Sequence, residues 1–352
     1  MAISRRTFLI RGAEVGLGVA AVGLVGARII DKRDSNPTLY DKGAFPTPGN
    51  PKVAVVKATS YDDGLQAIVR SGLASVGADV NGKTVLLKPN LVEFDAGTVI
   101  NTDPRLVHAT VLALRDMGAA SVTVGEGPGH RRDTEYVVRT SGLLDALKDA
   151  DVPFTDLNTA GVVRQALDSF YTPLGEIWLP QPITQADVVI SMPKMKTHHW
   201  AGATLSMKNC FGCMPGRVYG WPKNVLHWAG IDASIIDVSA AVHPDLQIVD
   251  GIVAMEGNGP IQGTPKEMGV LVFGSDMVAT DATSARLMGF DPERIPYLNE
   301  AGTFLGQVHL EEIQQVGEDP EALAQDFEVL PAFASYKVGA APASGGTVGA
   351  QA

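Results

Sequence analysis

From Lys52 onward the chain alternates short β-branched or apolar runs with amphipathic stretches, and that alternation leaves few folds open. Residues 53–56, 84–87, 121–124, 187–191, 246–249 and 270–273 read as strands, and residues 62–76, 104–117, 134–148 and 276–288 as helices. In the second of these helices Leu106, Val107, Thr110, Leu114 and Met117 recur at the spacing of one helix face. Strand–helix alternation of this kind predicts an α/β fold, a mainly parallel sheet covered by helices, in one body or two lobes. The α/β domain is expected over 51–330. A Pro-, Gly- and charge-rich linker over 31–50 precedes it, and a tail over 331–352, low in complexity from Gly339, is expected to be unstructured.

The first 30 residues read as an address. Ser4-Arg5-Arg6-Thr7-Phe8-Leu9 fits the S-R-R-x-F-L pattern of signals read by the twin-arginine translocase. An uncharged stretch over 15–27 follows, interrupted by Gly16, Gly18, Gly23 and Gly26. It is shorter than the roughly 20 apolar residues that span a bilayer. Val25-Gly26-Ala27 offers a small-residue exit for a signal peptidase. The expectation is export by that translocase, as a transient partner, to a periplasmic or other extracytoplasmic location. Membrane contact would come only through an uncleaved signal. This route carries folded proteins, which suits a chain with two cysteines and no disulfide framework to complete outside. Without Arg5, Arg6, Arg11 and Glu14 the remaining chain has 25 basic and 38 acidic residues, a net charge of −13. An acidic surface of that size argues against nucleic acid as a partner.

In parallel sheets ligands collect beyond the C-terminal ends of strands, and polar clusters here follow the predicted strands. Lys88 and Asn90 follow one, Glu126 and His130 another, and Lys194, Lys196, His198 and His199 a third; Glu256 and Asn258 lie beyond a fourth. The most unusual stretch is 188–231. It holds no Asp or Glu in 44 residues, yet contains Lys194, Lys196, Lys208, Arg217 and Lys223 with His198, His199 and His227. Such a field draws in anions, and Lys and Arg grip phosphate and carboxylate. Trp200, Trp221 and Trp228 in this stretch are expected to pack the loop rather than stack on a ligand. Cys210-Phe211-Gly212-Cys213 has C-x-x-C spacing, open to four readings: a reducible disulfide, half of a metal site, part of an iron–sulfur site, or two buried thiols.

These readings give a site with His130, His198 and Glu126 in acid–base or orienting roles. Lys88, Asn90, Lys194, Lys196, Lys208, Asn209, Glu256 and Asn258 would surround a small anionic ligand or a cofactor. A metal ion would fall to His198, His199 and Cys213, whereas two cysteines are too few for an iron–sulfur cluster. Two functions follow. One is an enzyme or cofactor-loaded protein acting on a phosphate or carboxylate; the alternative is a non-catalytic module that binds an anion or a partner outside the cytoplasm.

Longer motifs carry a family resemblance. D-V-V-I-S-M-P-K-M-K-T-H over 187–198 and S-M-K-N-C-F-G-C-M-P-G over 206–216 resemble the signature of the "domain of unknown function 362" family. V-D-G-I-V-A-M-E-G-N-G-P over 249–260, G-S-D-M-V-A-T-D over 274–281 and Lys88-Pro89-Asn90 are similar to its other segments. The resemblance covers roughly 52–305 and implies no settled activity. Some relatives carry ferredoxin-like cysteine clusters; this chain does not, so the resemblance implies no such redox role. Cys213 fits the family pattern, and Cys210 stands where an apolar residue is usual. The order of Gly129-His130-Arg131, His198, His199 and Lys208 also resembles the layout of the nickel-pincer lactate racemase family, a likeness of arrangement rather than of activity.

Overall fold

The structure, a computed structural model, describes residues 38–45, 49–62, 64–129 and 133–341. The arginine pair of the signal, His130 with Arg131 and Arg132, and the chain from 342 lie outside these residues.

Residues that are apolar on both faces build the centre of the sheet. β1 (Lys52–Lys57), β2 (Thr84–Pro89), β3 (Ser121–Glu126), β4 (Phe154–Asp156), β7 (Val188–Met192) and β10 (Leu246–Asn258) run the same way. The spatial order is β12-β1-β11-β10-β7-β2-β3-β4, with β12 (Gln314–Gly317) parallel to β1. Only β11 (Gln262–Gly274) on this path is reversed, since it is the return arm of a hairpin with β10 and pairs antiparallel with both β10 and β1. The sheet is therefore mainly parallel and the fold α/β, as the alternation requires. Helices Leu65–Ser75 and Pro104–Asp116 cover one face and helices Ile231–Val242 and Met277–Leu287 the other, giving a core on each side of the sheet. A small separate ribbon pairs β5 (Val162–Ala166) with β6 (Glu176–Pro180).

Three local expectations change. The helix expected over 134–148 breaks into Thr134–Thr140 and Leu143–Asp149, because Gly142 takes a left-handed turn between them. Within the expected linker, residues 38–45 pack on the body: Phe45 is buried, and the Tyr40 ring stacks on Phe304 at 4.2 Å. The chain past 330 also stays packed, with a 3-10 turn over Pro331–Tyr336 and Lys337 Nζ donating to Asp326 Oδ1 at 2.6 Å, so the expected tail does not begin at 331.

The polar run after β7 is itself a strand. Pro193 interrupts pairing for one residue, and β8 (Lys194–His198) continues along β10, with β9 (Gly202–Thr204) folded back on it. Asp250 N–H donates to the Pro193 carbonyl at 2.8 Å and bridges the change of partner. Next comes a short helix, Ser206–Asn209, held from below by Asp281 in the helix Met277–Leu287. The Asp281 carboxylate accepts from the backbone N–H of Ser206 at 2.7 Å and of Met207 at 2.9 Å. Burial pushes Asp281 up to about 7, while these backbone donors pull it down. The two residues that follow this anchor are Lys208 and Asn209.

Candidate functional site

The ends of β2, β3 and β8, the segment 204–212 and the tip of the β10–β11 hairpin enclose a cavity of about 340 Å³. Lys208, Lys223, Glu126, Asn90, Asn209, His198, His199 and His227 line it among apolar walls that include Leu91, Phe211 and Ile261. Strand-end convergence thus brings together six of the predicted residues and adds Lys223 and His227, which were legible only as members of the acid-free stretch.

At the cavity floor, Lys88 and Glu126 form an ion pair with both side chains about 1% exposed. Lys88 Nζ also donates to Asn209 Oδ1 at 3.0 Å and to the Pro89 carbonyl at 3.0 Å. Its three donors are then used, so Lys88 is a structural cation and not the anion grip expected of it. Asn209 is the hub: its Oδ1 also accepts from Asn90 Nδ2 at 3.1 Å, and its Nδ2 donates to Ser191 Oγ at 3.0 Å. Gly212 lets the backbone pass over this pair, because a Cβ there would overlap both Glu126 Oε1 and Lys88 Nζ. Among the described residues Glu126 orients no histidine. Its second oxygen, Oε2, is buried and has no hydrogen-bond partner among the described residues; the same holds for Asn90 Oδ1 and Thr204 Oγ1, all on cavity-lining residues.

The cations at the wall differ in how far they are used. Lys223 Nζ donates to the Gly127 carbonyl at 2.6 Å and the Phe211 carbonyl at 3.0 Å. Lys208 Nζ makes no hydrogen bond among the described residues and sits 4.0 Å from the centre of the Phe211 ring. Burial, then Lys223 and Lys88, push the Lys208 amine down to about 7. Burial likewise brings Lys223 down to about 8.

The histidines are fixed by their backbone contacts. His198 Nδ1 faces the N–H groups of Trp200 at 3.0 Å and Ala201 at 3.2 Å, so it must accept, and the ring proton stands on Nε2. Burial, then Lys208, hold His198 well below the usual histidine range. It is a neutral imidazole with Nε2–H as its donor. His199 and His227 are the reverse. Their Nδ1 atoms face the carbonyls of Gly259 at 2.9 Å and Lys223 at 3.2 Å, so Nδ1 carries the proton and Nε2 the lone pair. Burial lowers both, His227 to about 4. The hairpin tip comes this close to β8 because residue 259 is Gly; a Cβ there would strike the Thr197 carbonyl.

Four predicted site residues are placed elsewhere. Lys194 pairs with Asp250 at 2.6 Å and donates to Tyr61 Oη at 2.9 Å, away from the cavity. Lys196 is fully buried and donates to the Ile100 carbonyl at 2.6 Å. Glu256 pairs with Lys266 at 2.7 Å, and Asn258 binds Gln262 across the hairpin at 2.9 Å. Each is absorbed by a partner distant in sequence or by the hairpin itself, so none reaches the cavity. Cys210 and Cys213 form no disulfide with each other; both are buried in the core beside the helix Ile231–Val242, and burial pushes the Cys210 thiol well up. No group of three His, Cys, Asp or Glu side chains among the described residues is arranged to hold a metal, so His198, His199 and Cys213 do not form one. The tryptophans also depart from expectation: Trp221 packs on Gly216, but Trp200 is 53% and Trp228 79% exposed.

Removing one member of the buried pair leaves the other charge without compensation. Lys88→Met is expected to cost about 3–5 kcal/mol in urea unfolding. The double variant Lys88→Met, Glu126→Gln should recover most of that loss; strictly additive losses would show that the two charges are not coupled.

Residues 85–286 match the model of the family described as "Domain of unknown function (DUF362)". A thylakoid-associated protein of Synechocystis is 33% identical over 258 residues, covering 69% of this chain and 76% of that protein. Among solved structures, the lactate racemase apoprotein of Thermoanaerobacterium thermosaccharolyticum aligns with a TM-score of 0.44 at 12% identity, over 68% of this chain and 57% of that one. A Thermotoga maritima protein aligns with a TM-score of 0.34 at 11% identity, over 63% of this chain and 57% of its own. The chain thus spans under two thirds of the solved structures it matches. The matches to the family model and to the Synechocystis protein together show that the chain belongs to the DUF362 family.

Proposed function

We propose that the protein is exported and binds a small hydroxyl-bearing anion, a phosphate or carboxylate, in the strand-end cavity. One observation carries this reading: Lys208 lines the strand-end cavity and has no hydrogen-bond partner among the described residues. Lys223 lies in the same wall, and Glu126 is the one Asp or Glu among the lining residues, its charge already matched by Lys88. The field inside is therefore cationic. His198 adds an Nε2–H donor for the anion's oxygens. Glu126 Oε2 and Asn90 Oδ1 can only accept, so the ligand that satisfies them also brings a donor, such as a hydroxyl or the protonated oxygen of a phosphate.

A second reading, an enzyme, is favoured by the neutral imidazoles. His199 and His227 keep a lone pair on Nε2 at the cavity wall, with Nδ1 pinned to a carbonyl, the arrangement a general base needs. The bound hydroxyl or an adjacent C–H is the proton such a base would take.

Export rests on Ser4-Arg5-Arg6-Thr7-Phe8-Leu9 and the uncharged stretch after it. Thylakoid association of the Synechocystis relative supports a place of work away from the bulk cytoplasm. No helix among the described residues is long and apolar enough to cross a membrane. Replacing Arg5 and Arg6 together by Lys should hold the protein in the cytoplasm in cell fractionation, and undiminished export would remove the twin-arginine assignment.

Calorimetric titration tests the site. Lys208→Met should weaken binding of inorganic phosphate about 10- to 100-fold, the worth of a charge-assisted hydrogen bond. Wild-type protein that binds no phosphate, or a variant that binds it equally well, contradicts the reading. Sulfate keeps a fixed charge across neutral pH, so it reports the protein alone. Its affinity should be full where Lys208 is protonated, below pH about 7, and fall as pH rises above that value.

A further inference from the structure

The same acid-free stretch that supplies Lys208 also leaves bulky apolar side chains in water. Trp200, Val218, Val225 and Trp228 are four of the nine exposed large apolar residues among the described residues, and all four stand within 29 positions of one another. They are not scattered. The Trp200 ring packs edge-on against His227 at 4.9 Å, and the His227 ring lies 5.8 Å from Phe211, the ring beneath Lys208. Val225 and Trp228, three residues apart on the helix Asn224–Trp228, share the helix face next to His227. Helix Gly216–Tyr219, which bears Val218, packs against that helix.

Ring contacts therefore lead outward from Lys208, which has no hydrogen-bond partner among the described residues, over Phe211 and His227 to Trp200, and the helix that carries His227 also presents the exposed Val225 and Trp228. A bare inorganic anion would use only the inner end of this series. Exposed aromatics of this size, contiguous with a binding cavity, signal an apolar contact that the isolated chain does not make. Their position fixes what shape of ligand would make it: charge innermost, hydrocarbon outward.

We propose that the ligand of this cavity is an amphiphilic anion, its phosphate or carboxylate head at Lys208 and its apolar chain laid along Trp200, Val225 and Trp228. The inference rests on the anion reading above and specifies the ligand class. Such a molecule has two sources, a free amphiphile in solution or a lipid standing in a bilayer. The charge pattern suits both, since these residues belong to a segment of 44 residues without a single Asp or Glu in an otherwise acidic protein.

The test is a titration of the full mature chain with inorganic phosphate, then butyl, hexyl and octyl phosphate. Affinity should rise along the series, by about two- to fourfold for each methylene that becomes buried. The slope should flatten in the Val225→Ser, Trp228→Ser double variant. A wild-type series that binds phosphate but does not steepen overturns the amphiphile and leaves the anion reading standing; failure to bind any member overturns both. A steep series whose slope is unchanged in the double variant overturns the placement of the apolar chain along Val225 and Trp228. Co-sedimentation with mixed phosphatidylcholine and phosphatidic acid vesicles, absent with phosphatidylcholine alone, assigns the chain to a bilayer lipid. A rising series without sedimentation assigns it to a free amphiphile.

Discussion

The ion pair of Lys88 and Glu126 ties together the parts of the molecule that make the cavity. Lys88 stands at the end of β2, Glu126 at the end of β3, and Asn209 reaches Lys88 and Asn90 from the segment that crosses above. Two charges removed from water are costly, and the arrangement offsets that cost by filling every donor of Lys88. Gly212 is required where the chain passes the pair, and Asp281 holds the start of the same segment by two backbone hydrogen bonds. The result is a rigid floor from which Lys208 projects. A site built on strand ends and a pinned turn keeps its groups in place before any ligand arrives, which lowers the ordering cost of binding.

Above that floor the electrostatics are uneven by design of the contacts. Lys223 is tethered to two carbonyls, Lys88 is matched by Glu126, and Lys208 is left with an aromatic face. Crowding of like charges away from water weakens the hold of Lys208 on its proton, so an arriving anion gains a double benefit: it pairs with the amine and restores its ordinary basicity. The imidazoles contribute no charge. Each has one nitrogen committed to the backbone, which decides its tautomer and sorts His198 as a donor from His199 and His227 as acceptors.

Much of this architecture can be read from residue order, for identifiable reasons. The runs at 85–87 and 188–190 are apolar throughout because both faces of the sheet are covered, and Asp276 caps its helix by accepting from Ala279 N–H at 2.9 Å. Pairings between distant residues were not legible. Lys-Met-Lys-Thr-His over 194–198 has the polarity of a loop and forms a strand because Asp250 and the Ile100 carbonyl receive its two lysines. Glu256 has the look of a site carboxylate until Lys266 is seen opposite. The acid-free stretch announced a cationic site, but which of its lysines would remain unpaired depends on carbonyls at Gly127 and Phe211 that no spacing rule locates.

Everything functional in this account turns on one amine, and its titration can be followed directly. Side-chain NMR of the mature protein labelled at lysine, assigned by Lys208→Arg, should show one amine titrating near pH 7 and moving upward when phosphate is added. A Lys208 amine that titrates at the ordinary lysine value of about 10.4 and does not respond to phosphate would contradict it.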